Sequence, residues 1–212
     1  MTRQSSYEAR GKILEAALQV FGDKGYKEAT VREIARIAGV AVGGLYPYFG
    51  SKEQLYVEVL REEMKRYNDR NREFENADPQ VGIRRYIENH LEYMASRKEI
   101  IARHFKDYDL GFVKPVASQF FAYQKEFLEA TIRKGAERKI FPVADCGEAA
   151  LFVLCLLKGA LFYDLAGMID LSTSGESLCR LVLDFLKNEK AAEHVPRIPG
   201  ETEGQGTPGN RR

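Results

Sequence analysis

The stretch Thr30 to Lys52, TVREIARIAGVAVGGLYPYFGSK, constrains this chain more than any other. Gly39 divides it into two short runs of apolar residues. A tight turn there needs backbone freedom that only glycine supplies without steric cost. With Gly39 in the turn, Ile34, Ala38, Val40, Leu45 and Tyr48 become the residues that hold two helices together. Ala35 is small enough to let those helices cross closely. Ala41, Val42, Gly43, Tyr46 and Pro47 are left with no core role and face outward on the second helix. Helix-turn-helix motifs lay that second helix in the DNA major groove. The spacing predicts it over Ala41 to about Tyr46, kept short because Pro47 disfavours α geometry at the residue before it.

Helix starts are marked along the whole chain. A small polar residue followed three positions later by Glu or Gln occurs at Ser5–Glu8, Thr30–Glu33, Ser51–Gln54, Asp145–Glu148 and Thr173–Glu176, and Asp78-Pro79 adds a sixth start. No sustained period-2 alternation appears, so the fold class is all α. The apolar periodicity predicts helices over 6–23, with Gly25 as its cap, 31–38, 41–46, 51–71, 79–97, 99–106, 113–138, 146–167 and 173–190. The 51–71 helix is long enough to leave the helix-turn-helix head and enter the body. The expected division is a head over 1–52, a helical effector-binding and dimerisation body over 53–190, and a disordered tail over 191–212, rich in Pro, Gly and charge.

The 113–138 and 146–167 helices are apolar around most of their circumference. A body this small has little room at its centre for two such helices, so one is expected to bury a face against a second copy of the chain. The 173–190 helix carries the stripe Leu178, Leu181, Val182, Phe185 and Leu186 and would complete an isologous four-helix contact with 146–167.

The net charge of +1 carries no nucleic-acid signal by itself. Its division says more: residues 1–52 hold eight Lys or Arg against five Asp or Glu, a net of +3, which leaves −2 for the rest. Thr30 is placed to cap a helix whose first N–H groups point at phosphate. Lys52 sits in the first turn of a helix, where a cation opposes the dipole unless an anion stands in front of it. Tyr46 and Tyr48 carry hydroxyls on rigid rings within reach of backbone oxygens, and Tyr48 equally suits the core. Gly43 and Gly44 permit close approach to DNA; the competing reading is that they crowd against a neighbouring helix. Arg3, Arg10 and Lys12 are further candidate cations near the N-terminus.

The segments KILEAALQVFGDKGYKEATVREIARIAGV and LYPYFGSKEQL resemble the signature of the TetR family of bacterial transcriptional regulators, over roughly the first quarter to third of the chain. The resemblance implies phosphate contacts by Thr30, Tyr46, Tyr48 and Lys52, and approach to bases and backbone by Ala41, Val42, Gly43 and Gly44. Two features depart from the family pattern: Ala41-Val42-Gly43-Gly44 replaces the polar residues common there, and Pro47 replaces an aromatic ring. Base reading would then lean on thymine methyls and DNA shape. The resemblance also implies a homodimer on a near-palindromic double-stranded operator. It further implies a small apolar or aromatic effector held in the body, whose binding releases a repressor. Tyr67, Tyr86, Phe105, Phe120, Tyr123 and Phe152 lie on the helices that line the cavity in such proteins. His90 and Gln124 fall on otherwise apolar stripes, where a buried polar group needs a partner from the protein or a ligand.

No HExxH, phosphate-binding glycine loop or GxSxG occurs, so no catalytic residue, metal site or cofactor is expected and the chain is read as no enzyme. A non-specific architectural DNA binder is the other alternative, disfavoured by the near-neutral charge. Cys146, Cys155 and Cys179 are widely spaced and read as small buried hydrophobes in a reducing cytoplasm. The most apolar stretch, Ala149 to Ile169, is broken by Lys158 and Asp164, leaving an uncharged run too short for a membrane span.

Overall fold

The computed structural model describes residues 3–97 and 110–188, all in helices and turns, with no strand among them. Seven α-helices result: α1 Arg3–Glu28, α2 Val31–Ala38, α3 Lys52–Arg72, α4 Pro79–Ser96, α5 Lys114–Glu137, α6 Cys146–Leu165 and α7 Leu171–Lys187. The helix expected over 99–106, with Phe105, and the 191–212 tail lie outside the described residues.

Four of the expected helix starts close as capped ends. Thr30, Ser51, Asp78 and Asp145 each accept a hydrogen bond from a first-turn N–H, at 2.8–3.2 Å. The Ser5–Glu8 and Thr173–Glu176 boxes do not start helices, because α1 already runs from Arg3 and α7 from Leu171. The Leu171 N–H is instead received by the Asp164 carboxylate at 3.1 Å, so the α6–α7 connection supplies the cap. Gly25 bends α1 with φ 77° and ψ 171°, a conformation only glycine tolerates, and one further turn follows before α2.

The helix expected over Ala41–Tyr46 is a correction. Only Val42–Gly44 is helical, as a single 3-10 turn, followed by further turns to Tyr48. Two glycines carry a high entropic cost in a helix, and Pro47 can donate no backbone hydrogen bond, so α geometry does not propagate. The tighter bonds Gly44 N–H to Ala41 (2.8 Å) and Leu45 N–H to Val42 (3.3 Å) take its place.

Two apolar cores lie along the chain. The first joins α1, α2, the 42–49 segment and the front half of α3 through Leu60, and it includes Val113 and Val116 from the start of α5. The second begins with Tyr67 of α3 and gathers α4, α5, α6 and α7. There α5 packs chiefly on α6, and α4 on α7 and α5. The helix α3 serves both cores, as the sequence suggests. The start of α5 is a second bridge, one that the sequence does not announce.

The apolar faces of α6 and α7 divide. Val153, Leu154, Leu157 and Leu161 of α6 and Cys179, Val182, Leu183 and Leu186 of α7 point inward. Phe162 (60% exposed), Leu181 (56%), Tyr163 and Phe152 point away from the single chain. By length and composition α6 does reach what a membrane crossing requires, with a mean hydropathy of 1.6, contrary to the judgement from its uncharged run. Of the cysteines only Cys179 is fully buried; Cys146 is half-buried and Cys155 exposed, so the expectation of three buried thiols holds for one.

Candidate nucleic-acid interface and effector site

The head is built outward from a rigid turn. Gly39 adopts φ 69° and ψ 31°, and the chain reverses there with Val40 N–H bonded to the Ala35 carbonyl at 3.0 Å. Ile34, Ala35, Leu45 and Phe49 are each at most 3% exposed and anchor both sides of the turn. Tyr48 and Phe49 N–H both donate to the Leu45 carbonyl, at 2.9 and 3.0 Å. With Leu45 and Phe49 pinned inward, Tyr46 is forced out, 52% exposed, beside Val42 at 39%. Ala41, Gly43, Pro47 and Thr30 share this exposed side, while Gly44 and Tyr48 are half-buried, Tyr48 against the first core.

A Cβ built on Gly43 would meet nothing within 4 Å, and one on Gly44 only Val40 at an ordinary 3.8 Å. Neither glycine is demanded by crowding within the chain. Lys52 is not a loose cation: its ammonium lies 4.5 Å from the Tyr26 ring centroid and 3.4 Å from the Lys27 carbonyl. Tyr26 in turn packs on Tyr56 (5.1 Å between centroids) and on Phe112 (5.0 Å) of the segment leading into α5. Arg10 is engaged away from any ligand, paired with Glu58 at 2.7 Å and Glu62 at 3.6 Å, so it fastens α1 to α3. Lys12 is exposed, and the Arg3 side chain lies outside the described residues. Sequence reasoning passed over Arg32 and Arg36, which stand exposed on α2 beside this surface, because alternating charge reads as an ordinary solvent face.

In the body, five of the sequence-named residues come together, Tyr67, Tyr86, His90, Phe120 and Gln124. Tyr67, Tyr86, His90 and Gln124 are each at most 1% exposed. The Tyr67 hydroxyl meets His90 Nδ1 at 3.1 Å, and its ring stands edge-on to Tyr86 and Phe120 at centroid distances of 6.4 and 5.2 Å. Tyr123 borders the group and donates to the Asn68 carbonyl at 3.3 Å. Phe152 does not join them; it lies on the outer face, stacked on Phe185 at 4.3 Å.

Burial sets the electrostatics. It pushes the Tyr67 hydroxyl up to about 12 and holds His90 well below the usual histidine range, helped by the nearby Lys158 charge. His90 is therefore neutral. Its Nε2, both amide atoms of Gln124 and the Tyr86 hydroxyl have no hydrogen-bond partner among the described residues. Sequence reasoning missed Lys158, whose ammonium lies 5.7 Å from the Phe120 ring centroid; burial brings its pKa down to about 8. A cleft of about 200 Å³ borders Phe120, lined also by Arg61, Met64, Lys65 and Arg72. Among the described residues no group of three or more His, Cys, Asp or Glu side chains is placed to hold a metal ion.

Residues 13–59 match the family described as bacterial regulatory proteins, tetR family. The HTH-type transcriptional repressor KstR2 of Mycolicibacterium smegmatis is 49% identical over 53 residues, which is 25% of this chain and 26% of that protein. The matched stretch thus spans about a quarter of that curated relative. The TetR-family regulator PfmR of Thermus thermophilus superposes with a TM-score of 0.64 at 25% identity, covering 81% of this chain and 97% of its own. FadR of Bacillus subtilis, solved in complex with stearoyl-CoA, superposes with a TM-score of 0.71 at 20% identity over 82% of this chain and 97% of its own, a likeness of fold.

Proposed function

The chain belongs to the TetR family of bacterial transcriptional regulators, and from that premise we propose that it is a homodimeric, ligand-responsive repressor. It acts in the bacterial cytoplasm on a near-palindromic operator and leaves it when a small apolar effector enters the body. The observation that carries this reading is the head surface: a fixed turn, buried at Leu45 and Phe49, that presents Val42, Gly43 and Tyr46 outward with no partner among the described residues. Val42 suits a thymine methyl, Gly43 leaves room for a groove wall, and the Tyr46 hydroxyl suits a phosphate.

The outer faces of α6 and α7 support the dimer. Only 33% of the apolar stretch of α6 is buried by its own chain, and Phe162, Tyr163 and Leu181 continue that face. A second copy would cover it isologously and set two heads about 34–36 Å apart, one turn of duplex. Lipid suits α6 less well, since a membrane-crossing helix would have to carry the charges of Lys158 and Asp164 into the bilayer. Within each chain an effector near Phe120 would bear on α5, whose first turn is held in the head core by Val116. Phe112, just before that turn, contacts Tyr26, and Tyr26 holds Lys52. Such coupling requires that the effector bind the two head arrangements unequally. That a fold neighbour holds stearoyl-CoA supports a ligand with a long apolar part.

Selection of random duplex DNA on the purified chain tests the reading. A palindromic winner should exceed scrambled duplex by a factor on the order of a thousand at physiological salt. Tyr46→Ala should weaken binding to that winner while leaving the dimer intact, and Lys52→Ala should also lower the salt slope by about one. Equal binding to every duplex would replace a specific regulator with an architectural protein.

A further inference from the structure

The body core holds something the dimer and the head do not use. Lys158 projects from α6 toward Phe120, and among the described residues no carboxylate lies within ion-pair distance of it. Its charge is felt at His90. The His90 ring stacks against Tyr86 at 6.2 Å and is fixed by the Tyr67 hydroxyl on Nδ1, which leaves Nε2 unpartnered. Gln124, fully buried, has no hydrogen-bond partner within bonding geometry at either amide atom among the described residues. Side chains of α4 and α5 thus meet at Tyr67 with polar atoms unpartnered among the described residues, and Lys158 of α6 reaches toward them along the Phe120 ring that packs on Tyr67.

Structural explanations fall short for this group. A neutral buried polar atom costs stability unless something bonds to it, and a buried charge costs more. A trapped water could bridge several of these polar atoms but would not neutralise a cation. What fits is an anion with two acceptor oxygens. When the Tyr67 hydroxyl donates to Nδ1, the neutral imidazole carries its proton on Nε2 and presents a donor. The Gln124 NH2 is a second donor, and the Lys158 ammonium supplies donors together with the balancing charge. Lys158 is the one cation among the described residues directed at this group, so the matching ligand group is a monoanion; the planar, two-oxygen carboxylate matches this donor set. The rings of Tyr67, Tyr86 and Phe120 around it require that the remainder of the ligand be apolar.

We propose that the effector is an apolar monocarboxylate whose carboxylate is received by Lys158, His90 Nε2 and the Gln124 amide inside the body. This rests on the reading of the body as the effector domain and names the chemical class it admits. Lys158 is the specificity-determining residue: it discriminates an acid from a neutral molecule of the same length.

The full-length protein is titrated with straight-chain acids from hexanoate to dodecanoate and with the matching primary alcohols, by calorimetry. The acid of best length should bind at least about tenfold more tightly than its alcohol, as expected for charge-assisted hydrogen bonds. Lys158→Met should abolish that preference by weakening the acid alone, and Lys158→Gln serves if the methionine variant does not fold. The ligand-free melting temperature of the variant should rise, because a desolvated cation with no carboxylate partner among the described residues has gone; a fall would overturn the inference by making Lys158 a structural residue. Equal binding of acids and alcohols, a preference that survives at Lys158→Met, or no binding by any acid would each overturn the inference. Operator binding by the same preparation keeps the two readings apart. A selective operator complex with no acid preference sinks only the carboxylate, whereas loss of all duplex selectivity sinks the regulator.

Discussion

The head and the body solve burial differently. Every buried residue in the head core, from Ile13 to Leu60 with Val113 just before α5 and Val116 in its first turn, is apolar or aromatic, and its aromatic members pack ring on ring. The body core buries Glu63, Asn71, Asn89, His90, Gln124 and Thr131 as well. Every buried polar side-chain atom found without a partner among the described residues lies in the body. Some of this polarity is structural: Glu63 ties α3 to α4 through Arg97 at 2.9 Å, and Asn89 donates to Asn71 at 2.7 Å. The remainder is unmet among the described residues. A core that is apolar throughout specifies one shape, which suits a part that must match a groove. A core with unmet donors is incomplete until something binds, which suits a part that must respond.

Damage to packing alone should be felt most in the head. Ile34→Ala removes a fully buried side chain from a core with no polar compensation. It should cost about 2–5 kcal/mol in urea unfolding and abolish operator binding with it. A loss well under 1 kcal/mol would mean the head core is loosely packed after all.

The body should answer in the opposite sense when its unmet groups are removed. Lys158 has a folded pKa of about 8, below its unfolded value of 10.5, so the unfolded chain binds more protons between those values. Stability therefore rises with pH across that interval, at up to about 1.4 kcal/mol per unit. Cys179, raised by burial from 9 to about 11, opposes this above pH 9, and Tyr67 does so above pH 10. The clean window is pH 8 to 9. The wild-type protein should gain stability there in urea titrations, and Lys158→Met should not. Gln124→Leu, of similar volume, should leave the ligand-free protein unchanged or more stable by about 1 kcal/mol. A clear loss would show that Gln124 is satisfied within the protein and would weaken the contrast.

What could be read from the sequence divides along the same line. Helix α2 is foretold to the residue, because Thr30 and Gly39 mark its two ends with local chemistry. His90 and Gln124 are legible as polar residues on apolar stripes, which is a periodic signal. Lys158 is not, because a lysine in a helix is ordinarily a solvated residue and only the packing of α5 against α6 turns it inward. The role of Phe112 and Val116 in the head is equally hidden, since it arises from a contact between segments far apart in sequence. Phe152 shows the converse. It lies on the expected helix, but periodicity cannot say which side of an almost uniformly apolar helix faces in, and it stacks on Phe185 outside. The recognition segment fell between these cases: Pro47 correctly limits it, yet how far the glycines tighten it to 3-10 geometry depends on backbone bonds that no side-chain pattern records.

The smallest expected effect on stability bears on the head surface itself. Gly43 has negative φ and open space where a Cβ would stand, so nothing in the free chain requires glycine there. Gly43→Ala should therefore stabilise the protein, by at most about 1 kcal/mol, through the lost freedom of the unfolded state. If the position approaches DNA as closely as its exposure allows, the added methyl must meet the groove wall, and affinity for the selected operator should fall as stability rises. The opposite signs are the point of the measurement. A variant that is more stable and binds equally well would leave Gly43 away from the DNA, and the interface would then centre on Val42 and Tyr46. A variant less stable than the parent would mean that the segment needs glycine for its own backbone, and the comparison between a self-sufficient head and an incomplete body would have to be redrawn at that turn.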